Sequence, residues 1–339
     1  MKFATRICAI VATMAMAAGA VPALADSVVE NLTEPGYASL KGKRIVYIPI
    51  AMNYDITRAW YLGMKREADR LGYEIIVKDP NWDTNAAVQA FQAAIREKPD
   101  LIVTLPPDVT SLARLVRKAQ EDGIPVIEIN QITSTPPDVF VGTDWIDIGR
   151  SNAQSAIEAC STTSGKSGKI ALVTGPTNAA ASIAWVQGVT ETLEGRDDMT
   201  IVSTQAANWD ASRSHDIAAT VLQQHADLCG ILDVWDGDAT GTAAAVREAG
   251  RTGQVFVATA GGGESTSCQA VETGGYTSYV SFNSGNQASY VNAVVKMLLQ
   301  AETRSDKPMV VLTPNNVLTK DNLLPSSCWT YDQLEKTGG

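Results

Sequence analysis

Two Trp-Asp pairs, Trp209-Asp210 and Trp235-Asp236, each follow a short apolar run and precede a stretch with helical periodicity. Exposing an indole ring and burying a carboxylate both cost free energy, so a chain that pairs them twice at the same kind of turn needs a physical reason. An aromatic face packs against C–H groups, and a neighbouring carboxylate or amide exchanges hydrogen bonds with hydroxyls. The pairs therefore indicate a site for a small, neutral, polyhydroxylated molecule.

The same two pairs also have a purely structural interpretation. Each Trp would then pack in a core or a loop, and each Asp would be a helix N-cap. Asp210 precedes Ala211-Ser212-Arg213 and Asp238 precedes Ala239, which are suitable positions for such caps. Both interpretations stay open at the level of the sequence.

The elements that must position these residues alternate regularly from residue 44 onward. Short β-rich runs are followed by amphipathic runs, as in Thr57–Leu71, where Trp60, Met64 and Leu71 fall on one face. Strands that alternate with helices of this length predict parallel sheets in an α/β fold, here two doubly wound lobes. The predicted strands are Arg44–Ile50, Tyr73–Lys78, Leu101–Thr104, Pro125–Ile129, Val139–Val141, Lys169–Thr174, Thr200–Gln205, Gly230–Val234, Val255–Thr259, Thr277–Phe282 and Met309–Thr313.

Ligands of open parallel sheets lie beyond the carboxyl ends of the strands, so the side chains at those places are the candidate ligand-binding residues. They share amide, carboxylate or aromatic chemistry, without His, Lys or Cys. The candidates are Asn53, Tyr54, Asn130, Gln131, Trp185, Trp209, Trp235, Asp236, Phe282 and Asn283.

The known catalytic and metal motifs are missing from the sequence. Gly165-Lys166-Ser167 lacks the first Gly and the preceding strand of a phosphate-binding loop, and neither GxSxG nor HExxH occurs. His215 and His225 are ten residues apart on a predicted helix, away from the strand ends. We therefore predict no catalytic residue, no metal site and no cofactor, and we expect the chain not to be an enzyme.

The first 25 residues have the pattern of a secretory signal peptide. Lys2 and Arg6 precede the uncharged apolar run Ile7–Val21, and Ala23-Leu24-Ala25 is typical of a cleavage site. No later run is long and apolar enough for a membrane span, which needs roughly 20 residues. We expect export to the periplasm, and the formal net charge of −10 argues against nucleic acid as a partner.

The chain that remains after cleavage has four cysteines: Cys160, Cys229, Cys268 and Cys328. An even number of cysteines in an exported protein predicts two disulfides, in one of three connectivities. The spacings lack the CxxC pairs of zinc sites, which agrees with the absence of a predicted metal.

Three sequence features, taken in order, resemble the type I periplasmic substrate-binding proteins of ABC transporters, and most of all their ribose-binding branch. They are a strand and helix ending in "KREADRLGYE", the strand "GIPVIEIN" and the turn "NWD". The resemblance covers roughly residues 41–330. The stretch "QAANWDASRSHDIAATVLQQHADLCGILDVWD" is similar to a subgroup that includes binders of sugar alcohols such as xylitol and threitol.

The resemblance implies two lobes joined by a three-strand hinge, with crossovers near Val139–Asp144, Thr277–Asn283 and Leu312–Asn315. After the signal peptide (1–25) and an N-terminal arm (26–43), it implies an N-terminal lobe of residues 44–142 plus 283–312. The C-terminal lobe would consist of residues 143–282 plus 313–339. The strand order of the family also implies the pairs Cys160–Cys229 and Cys268–Cys328.

The resemblance further implies a monomer that closes over a ligand and delivers it to a permease in the inner membrane. Two aromatic positions of the ribose binders correspond to Ile56 and Thr57 in this chain. The position of a ligand-binding Arg corresponds to Trp185, and the position of an Asp corresponds to Gly261. The absence of these charged contacts argues against ribose, and because Trp replaces two polar partners and would make the pocket smaller, a smaller or acyclic polyol such as a sugar alcohol is favoured. The alternatives are a quaternary ammonium or a nucleoside in the same fold, or a role as a chemoreceptor partner. Residues 26–43 are too few for the DNA-binding segment of a sugar-responsive regulator.

Overall fold

The computed structural model describes residues 33–301 and 307–336. The predicted signal peptide, residues 1–25, lies outside this part of the chain, as does the beginning of the predicted N-terminal arm. Residues 33–40 form helix α1. Within the described ranges, no helix has both the length and the apolar character needed to cross a membrane.

The first lobe is built on a six-stranded parallel sheet with the strand order β11-β5-β4-β3-β1-β2. Its strands are mostly buried runs of β-branched and other apolar residues, which suits strands covered by helices on both faces. They are β1 (Arg44–Ile48), β2 (Glu74–Val77), β3 (Leu101–Thr104), β4 (Val126–Ile129), β5 (Val139–Gly142) and β11 (Met309–Leu312). The helices of this lobe are α2 (Asp55–Leu71), α3 (Thr84–Glu97), α4 (Ala113–Glu121) and α10 (Ser284–Gln300).

The second lobe repeats this arrangement with the strand order β12-β10-β9-β8-β6-β7. Its sheet is parallel except for β12, which pairs antiparallel with β10 and was not predicted. The strands are β6 (Lys169–Thr174), β7 (Thr200–Ala206), β8 (Gly230–Asp233), β9 (Phe256–Gly261), β10 (Ser278–Ser281) and β12 (Asn316–Leu318). The helices are α5 (Trp145–Cys160), α6 (Ala180–Leu193), α7 (Ala211–Gln224), α8 (Asp236–Glu248) and α9 (Ser265–Glu272), and α11 (Tyr331–Lys336) follows in the C-terminal segment. The predicted architecture of two parallel α/β lobes is confirmed.

The chain passes between the two sheets at three places: after β5, after β10 and after β11. Several helices begin at an Asn or Asp whose side chain accepts a hydrogen bond from the first turn, as Asp83 does for α3 and Asp144 for α5. The largest core cluster includes side chains of both lobes, among them the fully buried Trp60 of α2 and Trp185 of α6. The lobes are therefore packed together near the crossovers.

Two disulfides join Cys160 to Cys229 and Cys268 to Cys328, the pairing that the resemblance implied. Cys160 ends α5, and Cys229 directly precedes β8. Because Cys229 lies at the amino end of its strand, this disulfide is at the end of the sheet away from the candidate ligand-binding residues. Cys268 lies on α9 and Cys328 in the C-terminal segment.

Replacing both Cys160 and Cys229 with Ser should lower stability without changing the fold. The bridge links residues 69 positions apart, so its loss frees the unfolded chain and costs about 2–4 kcal/mol of unfolding free energy. Urea denaturation followed by circular dichroism would measure the change. Wild-type protein treated with a reductant is the control, and a variant as stable as the oxidised wild type would contradict the prediction.

Candidate functional site

Loops at the carboxyl ends of both sheets meet in a cleft between the lobes. They enclose a cavity of about 20 Å³, little more than the roughly 10–15 Å³ that one water needs. The lining side chains are aromatic, aliphatic or amide, and none of them is charged. They are Ile50, Tyr54, Ile56, Trp82, Leu105, Asn130, Gln131, Trp145, Ala181, Trp209 and Trp235.

The lobes touch through aromatic rings in this cleft. The ring centroid of Trp235, from the second lobe, lies 4.7 Å from that of Tyr54 and 6.5 Å from that of Trp82, both from the first lobe. Trp209 lies 5.8 Å from Trp235 on the same side. The rings fill most of the space between the lobes, which explains why the cavity is so small.

Hydrogen bonds across the cleft also join the lobes. The backbone N–H of Val109 donates to the carbonyl of Asn178 at 3.1 Å. The backbone N–H of Ala181 approaches Oε1 of Gln131 at 3.4 Å. Together with the ring contacts, they define a closed arrangement of the two lobes.

The first Trp-Asp pair combines both interpretations given above. Asp210 is the N-cap of α7, because its Oδ1 accepts hydrogen bonds from the backbone N–H groups of Ser212 and Arg213. Trp209 has a left-handed backbone with φ of 63° and its ring lies over Gly175, where a Cβ would come within 2.2 Å of the ring. The carboxylate is structural, and the indole lines the cleft.

The second pair is arranged differently. Trp235 occupies the N-cap position of α8, and Asp236 is the first residue of that helix. Oδ2 of Asp236 accepts hydrogen bonds from the hydroxyls of Ser267 at 2.7 Å and Tyr279 at 2.8 Å. This carboxylate lies against Gly261, where a Cβ would be 1.9 Å from Oδ2. The glycine at position 261 is therefore required by the position of the Asp236 side chain.

Asn130 connects the cleft to the crossovers. Its Oδ1 accepts hydrogen bonds from the backbone N–H of Thr143 at 3.1 Å and from Nε2 of Gln287 at 3.0 Å. Its carbonyl accepts from Nε1 of Trp145 at 2.8 Å. The side chain that lines the cavity is thus held by residues of the first and second crossovers.

Three buried N–H groups of cavity-lining residues lack a hydrogen-bond partner among the residues that the structure describes. They are Nδ2 of Asn130, Nε1 of Trp209 and Nε1 of Trp235. Buried donors are almost always paired in native proteins, so an orphan donor in a cleft indicates a place for a ligand acceptor. Hydroxyl oxygens are suitable acceptors for all three.

An acidic groove of about 350 Å³ adjoins the cavity on the other side of Trp235. Its carboxylates are those of Asp55, Asp236 and Glu264. Burial, followed by the charge of Asp236, raises the pKa of Asp55 to about 8, and burial raises the pKa of Asp236 to about 6. Deeper in the lobe, burial and the charge of Asp233 raise the pKa of Asp238 to about 9. The structure therefore holds several of these groups partly protonated near neutral pH.

Some predicted site residues lie outside the cavity lining. Trp185 is fully buried in the second lobe and donates from Nε1 to Oδ1 of Asn152 at 2.9 Å. Phe282 is buried against Trp145 at the second crossover. Asn283 is the N-cap of α10, and Asn53 is exposed and accepts a hydrogen bond from Nε1 of Trp82. Tyr54, Asn130, Gln131, Trp209 and Trp235 line the cavity together, and Asp236 lines the adjoining groove.

Trp82 and Trp145 line the cavity but were not among the predicted residues. A signal for Trp82 exists in the sequence, because Asn81-Trp82-Asp83 repeats Asn208-Trp209-Asp210 letter for letter. Both tripeptides follow the edge strand of their sheet, β2 in one lobe and β7 in the other. Trp145 follows Asp144, so it too belongs to a pair of Trp and Asp at the start of a helix.

Comparisons with known proteins agree on the fold. A family model described as the periplasmic binding protein domain matches residues 45–303. The D-allose-binding periplasmic protein of Escherichia coli is 26% identical over 205 residues, which are 58% of this chain and 65% of that protein's length. The xylitol-binding protein of Mycolicibacterium smegmatis is 24% identical over 262 residues, 77% of this chain and 73% of that protein.

Among solved structures, an ABC transporter solute-binding protein from Agrobacterium vitis with bound D-fucose has a TM-score of 0.75. It is 23% identical, and the match covers 84% of this chain and 97% of that one. At this level of sequence identity the structural similarity establishes the fold alone, and the similarity extends over both lobes.

Stability should fall as the pH rises from 5 to 8. Burial raises the pKa values of the carboxyls of Asp55, Asp233, Asp236 and Asp238 to about 8, 7, 6 and 9, from an ordinary value of 3.8. The folded chain therefore keeps protons that the unfolded chain has released, and this stabilisation is lost as the pH rises through the folded values. Asp100 and Asp108 have lowered pKa values, so their contribution to stability is present at higher pH. This contribution is lost only when the pH falls below about 4.

Urea midpoints at pH 5, 6.5 and 8 would measure this dependence. Asp238→Asn removes the group with the highest of these pKa values, so the slope of stability against pH should be smaller in this variant. An Asp332→Asn variant, changed at an exposed position of α11, is the control. A midpoint that rises between pH 5 and 8 would contradict the prediction.

Proposed function

We propose that this chain, which belongs to the periplasmic binding protein family, captures a small polyol or monosaccharide between its two lobes and delivers it to an ABC transporter permease. The proposal assigns no chemical reaction to the chain. It places the protein in the periplasm after removal of the signal peptide, where it would act as a monomer. Tyr54, Asn130, Gln131, Trp209 and Trp235 would contact the ligand.

One observation carries the proposal: three residues that line an uncharged cavity with aromatic walls between the lobes each have a buried N–H donor without a partner among the described residues. A neutral molecule with several hydroxyls can accept from all three donors while its C–H groups pack against the indole faces. A charged ligand would leave its charge unpaired in this cavity, which is costly. The uncharged lining therefore favours a neutral ligand.

The size of the closed cavity favours a small or flexible ligand. The rings that fill the cleft must move apart to admit any sugar, and a short acyclic chain requires the smallest displacement. The relative named for binding xylitol supports a sugar alcohol. We therefore favour a tetritol or pentitol, such as threitol or xylitol, over a pyranose.

Closure of the lobes would couple binding to transport. Ligand contacts to Tyr54 in one lobe and to Trp235 in the other would both form only in the closed arrangement, so the ligand would shift the population toward it. The closed form presents a different combined surface of the two lobes from the open form. A permease can therefore distinguish the loaded protein from the empty one.

A cationic ligand is the second candidate, and the acidic groove is the observation that favours it. Asp55, Asp236 and Glu264 line this groove together with Trp235 and Tyr331. Aromatic faces and carboxylates together bind quaternary ammonium groups. A ligand of this kind would bind on the groove side of Trp235 and not in the uncharged cavity.

A thermal-shift screen of residues 26–339 tests the proposal. The panel should contain tetritols, pentitols, hexitols, the matching aldoses, choline and nucleosides. A ligand present at 100 times its Kd stabilises the folded state by roughly 2.7 kcal/mol, which is a measurable shift. We expect alditols to raise the melting temperature and aldoses to raise it less.

The control for this screen is Trp235→Ala, which removes a ring and an orphan donor from the cavity. It should abolish most of the alditol-induced shift while the unliganded variant still melts cooperatively. A shift with choline alone would favour the second candidate. A panel in which no alditol or aldose stabilises the wild-type chain would refute the proposal.

A further inference from the structure

Trp82 lies on a turn that is duplicated in the two lobes. In Asn81-Trp82 the φ angles are 49° and 68°, and in Asn208-Trp209 they are 61° and 63°. Left-handed backbone at a non-glycine residue costs free energy, and it is seldom kept at two successive positions without a reason. The repeated conformation places one indole from each lobe at the cleft, since both Trp82 and Trp209 line the cavity.

The ring of Trp82 is held in place from several sides. Its Nε1 donates to Oδ1 of Asn53 at 3.0 Å, and its backbone N–H donates to the carbonyl of Ile50 at 2.9 Å. Its ring centroid is 5.3 Å from that of Tyr54. The side chain is nevertheless 38% exposed, an unusual exposure for an indole with this many contacts.

The neighbouring loop of the first lobe supplies one ring, that of Tyr54, which meets Trp235 edge to face. Ile56 also lines the cavity but is aliphatic, and the buried Thr57 donates from its hydroxyl to the carbonyl of Tyr54 at 2.9 Å. Trp82 also borders a second groove of about 410 Å³ at the outer side of the cleft, together with Trp209. The two indoles therefore separate the inner cavity from the outer groove.

We propose that Trp82 is the first lobe's stacking surface for the ligand and that, with Trp209, it closes the outer side of the occupied cavity. This inference rests on the proposed function. The ligand lies between the two duplicated turns, with one indole face from each lobe against its C–H groups. Asn53 acts on the ligand only through Trp82, by holding the indole in position.

Trp82→Ala should weaken binding by about tenfold for xylitol, or for whichever alditol or aldose stabilises the wild type most in the screen. Trp82→Phe keeps a stacking face and should stay within about threefold of the wild type. The ligand-induced change in tryptophan fluorescence should shrink in both variants, a readout that a structural role of Trp82 alone would not affect. Isothermal titration calorimetry and fluorescence titration measure the two effects.

Trp185→Phe is the matched control, because it changes a buried indole outside the cavity lining. It should lower the melting temperature and leave the affinity unchanged. Wild-type affinity in Trp82→Ala would overturn the inference while leaving the proposed function intact. Failure of every alditol and aldose to bind the wild type would overturn both.

A different observation concerns the C-terminal segment, residues 319–336, which contacts both lobes. Cys328 is joined to Cys268 on α9 of the second lobe. The next residue, Trp329, donates from its backbone N–H to the carbonyl of Gly263 at 2.8 Å and from Nε1 to the carbonyl of Gly262 at 2.6 Å. Its own carbonyl accepts from the backbone N–H of Ser265. This part of the segment is fixed to the second lobe.

Helix α11, which follows at once, packs on α2 of the first lobe. Trp329 and the buried Leu334 form an apolar cluster with Ala59 of α2. The guanidinium of Arg58 lies 4.4 Å from the ring centroid of Tyr331, and Arg66 donates to the carbonyl of Leu334. The segment thus connects the lobes in addition to the three crossovers and the contacts across the cleft.

We infer that the segment is a clamp that stabilises the closed arrangement. The disulfide makes it move with the second lobe, so a hinge opening must separate α11 from α2 and expose Leu334 and Ala59. Contacts present in the closed form and broken in the open form shift the population toward closure and raise the apparent affinity for a ligand.

The variant Tyr331→Ala with Leu334→Ala tests the clamp, because it removes contacts to α2 and leaves the disulfide intact. Small-angle scattering of the ligand-free protein should give a larger radius of gyration than the wild type, since more molecules are open. Apparent affinity for the alditol or aldose found in the screen should fall by about tenfold. The scattering measurement needs no ligand, so its result is independent of the proposed function.

Two controls separate the clamp from a general loss of stability. Leu324→Ala changes a leucine of the same segment that is 63% exposed, and it should behave as the wild type. The double variant Cys160→Ser and Cys229→Ser should lose stability without opening, whereas the double variant Cys268→Ser and Cys328→Ser should lose stability and open. An unchanged radius of gyration in the α11 variant would overturn the inference.

Discussion

The arrangement of the two lobes depends on one buried amide, that of Gln287. Its Nε2 donates to Oδ1 of Asn130 at 3.0 Å and to Oγ1 of Thr313 at 2.8 Å, and its Oε1 accepts from Nε1 of Trp60 at 3.1 Å. Asn130 in turn binds the backbone of Thr143. Because Thr143 and Thr313 lie on the first and third crossovers and Gln287 follows the second, this network holds all three together. A buried polar network of this kind is stable only in the geometry that satisfies its members.

The same network reaches the cleft, because Asn130 both belongs to it and lines the cavity. A ligand that accepts a hydrogen bond from Nδ2 of Asn130 would contact an amide whose Oδ1 is already hydrogen-bonded to Thr143 at the first crossover. The proposed site and the three crossovers are therefore physically connected. The rings of Tyr54, Trp82 and Trp235 favour closure by burying apolar area. The carboxylates of Asp55 and Asp236 oppose it at high pH, because closure brings them together in a poorly solvated groove.

The sequence predicted the fold and five of the residues that line the cavity because two rules were enough. Strand–helix alternation requires parallel sheets, and parallel sheets put the residues after their strands at one edge, which located Tyr54, Asn130, Trp209 and Trp235. The same rule does not give the direction of a helical side chain. Trp185 lies within α6, and its ring turns into the lobe, where Asn152 accepts its N–H.

Other features depended on tertiary contacts. The signal for Trp82 is the repeat of Asn-Trp-Asp after an edge strand in each lobe, and contacts with Asn53 and Tyr54 hold its ring at the cavity. Strand β12 pairs antiparallel with β10 over three residues, which is too short for a periodicity to be recognised. Helix α11 lies on α2 through contacts of Tyr331 and Leu334 with residues that are far away in the sequence.

The acidic groove beside Trp235 connects helix α2, the second lobe and the C-terminal segment, because residues of all three line it. It is lined by Asp55 from the start of α2, by Asp236 and Glu264 from the second lobe, and by Tyr331 from the C-terminal segment. A change in the position of α2 relative to the second lobe therefore alters the solvation of Asp55, the contact of Tyr331 and the packing of Trp235 at once. Since these groups share one space, their contributions to closure are coupled and do not add independently. Protonation of Asp55 removes the charge that closure must bury, so the clamp and the aromatic contacts act most effectively when this carboxyl is neutral.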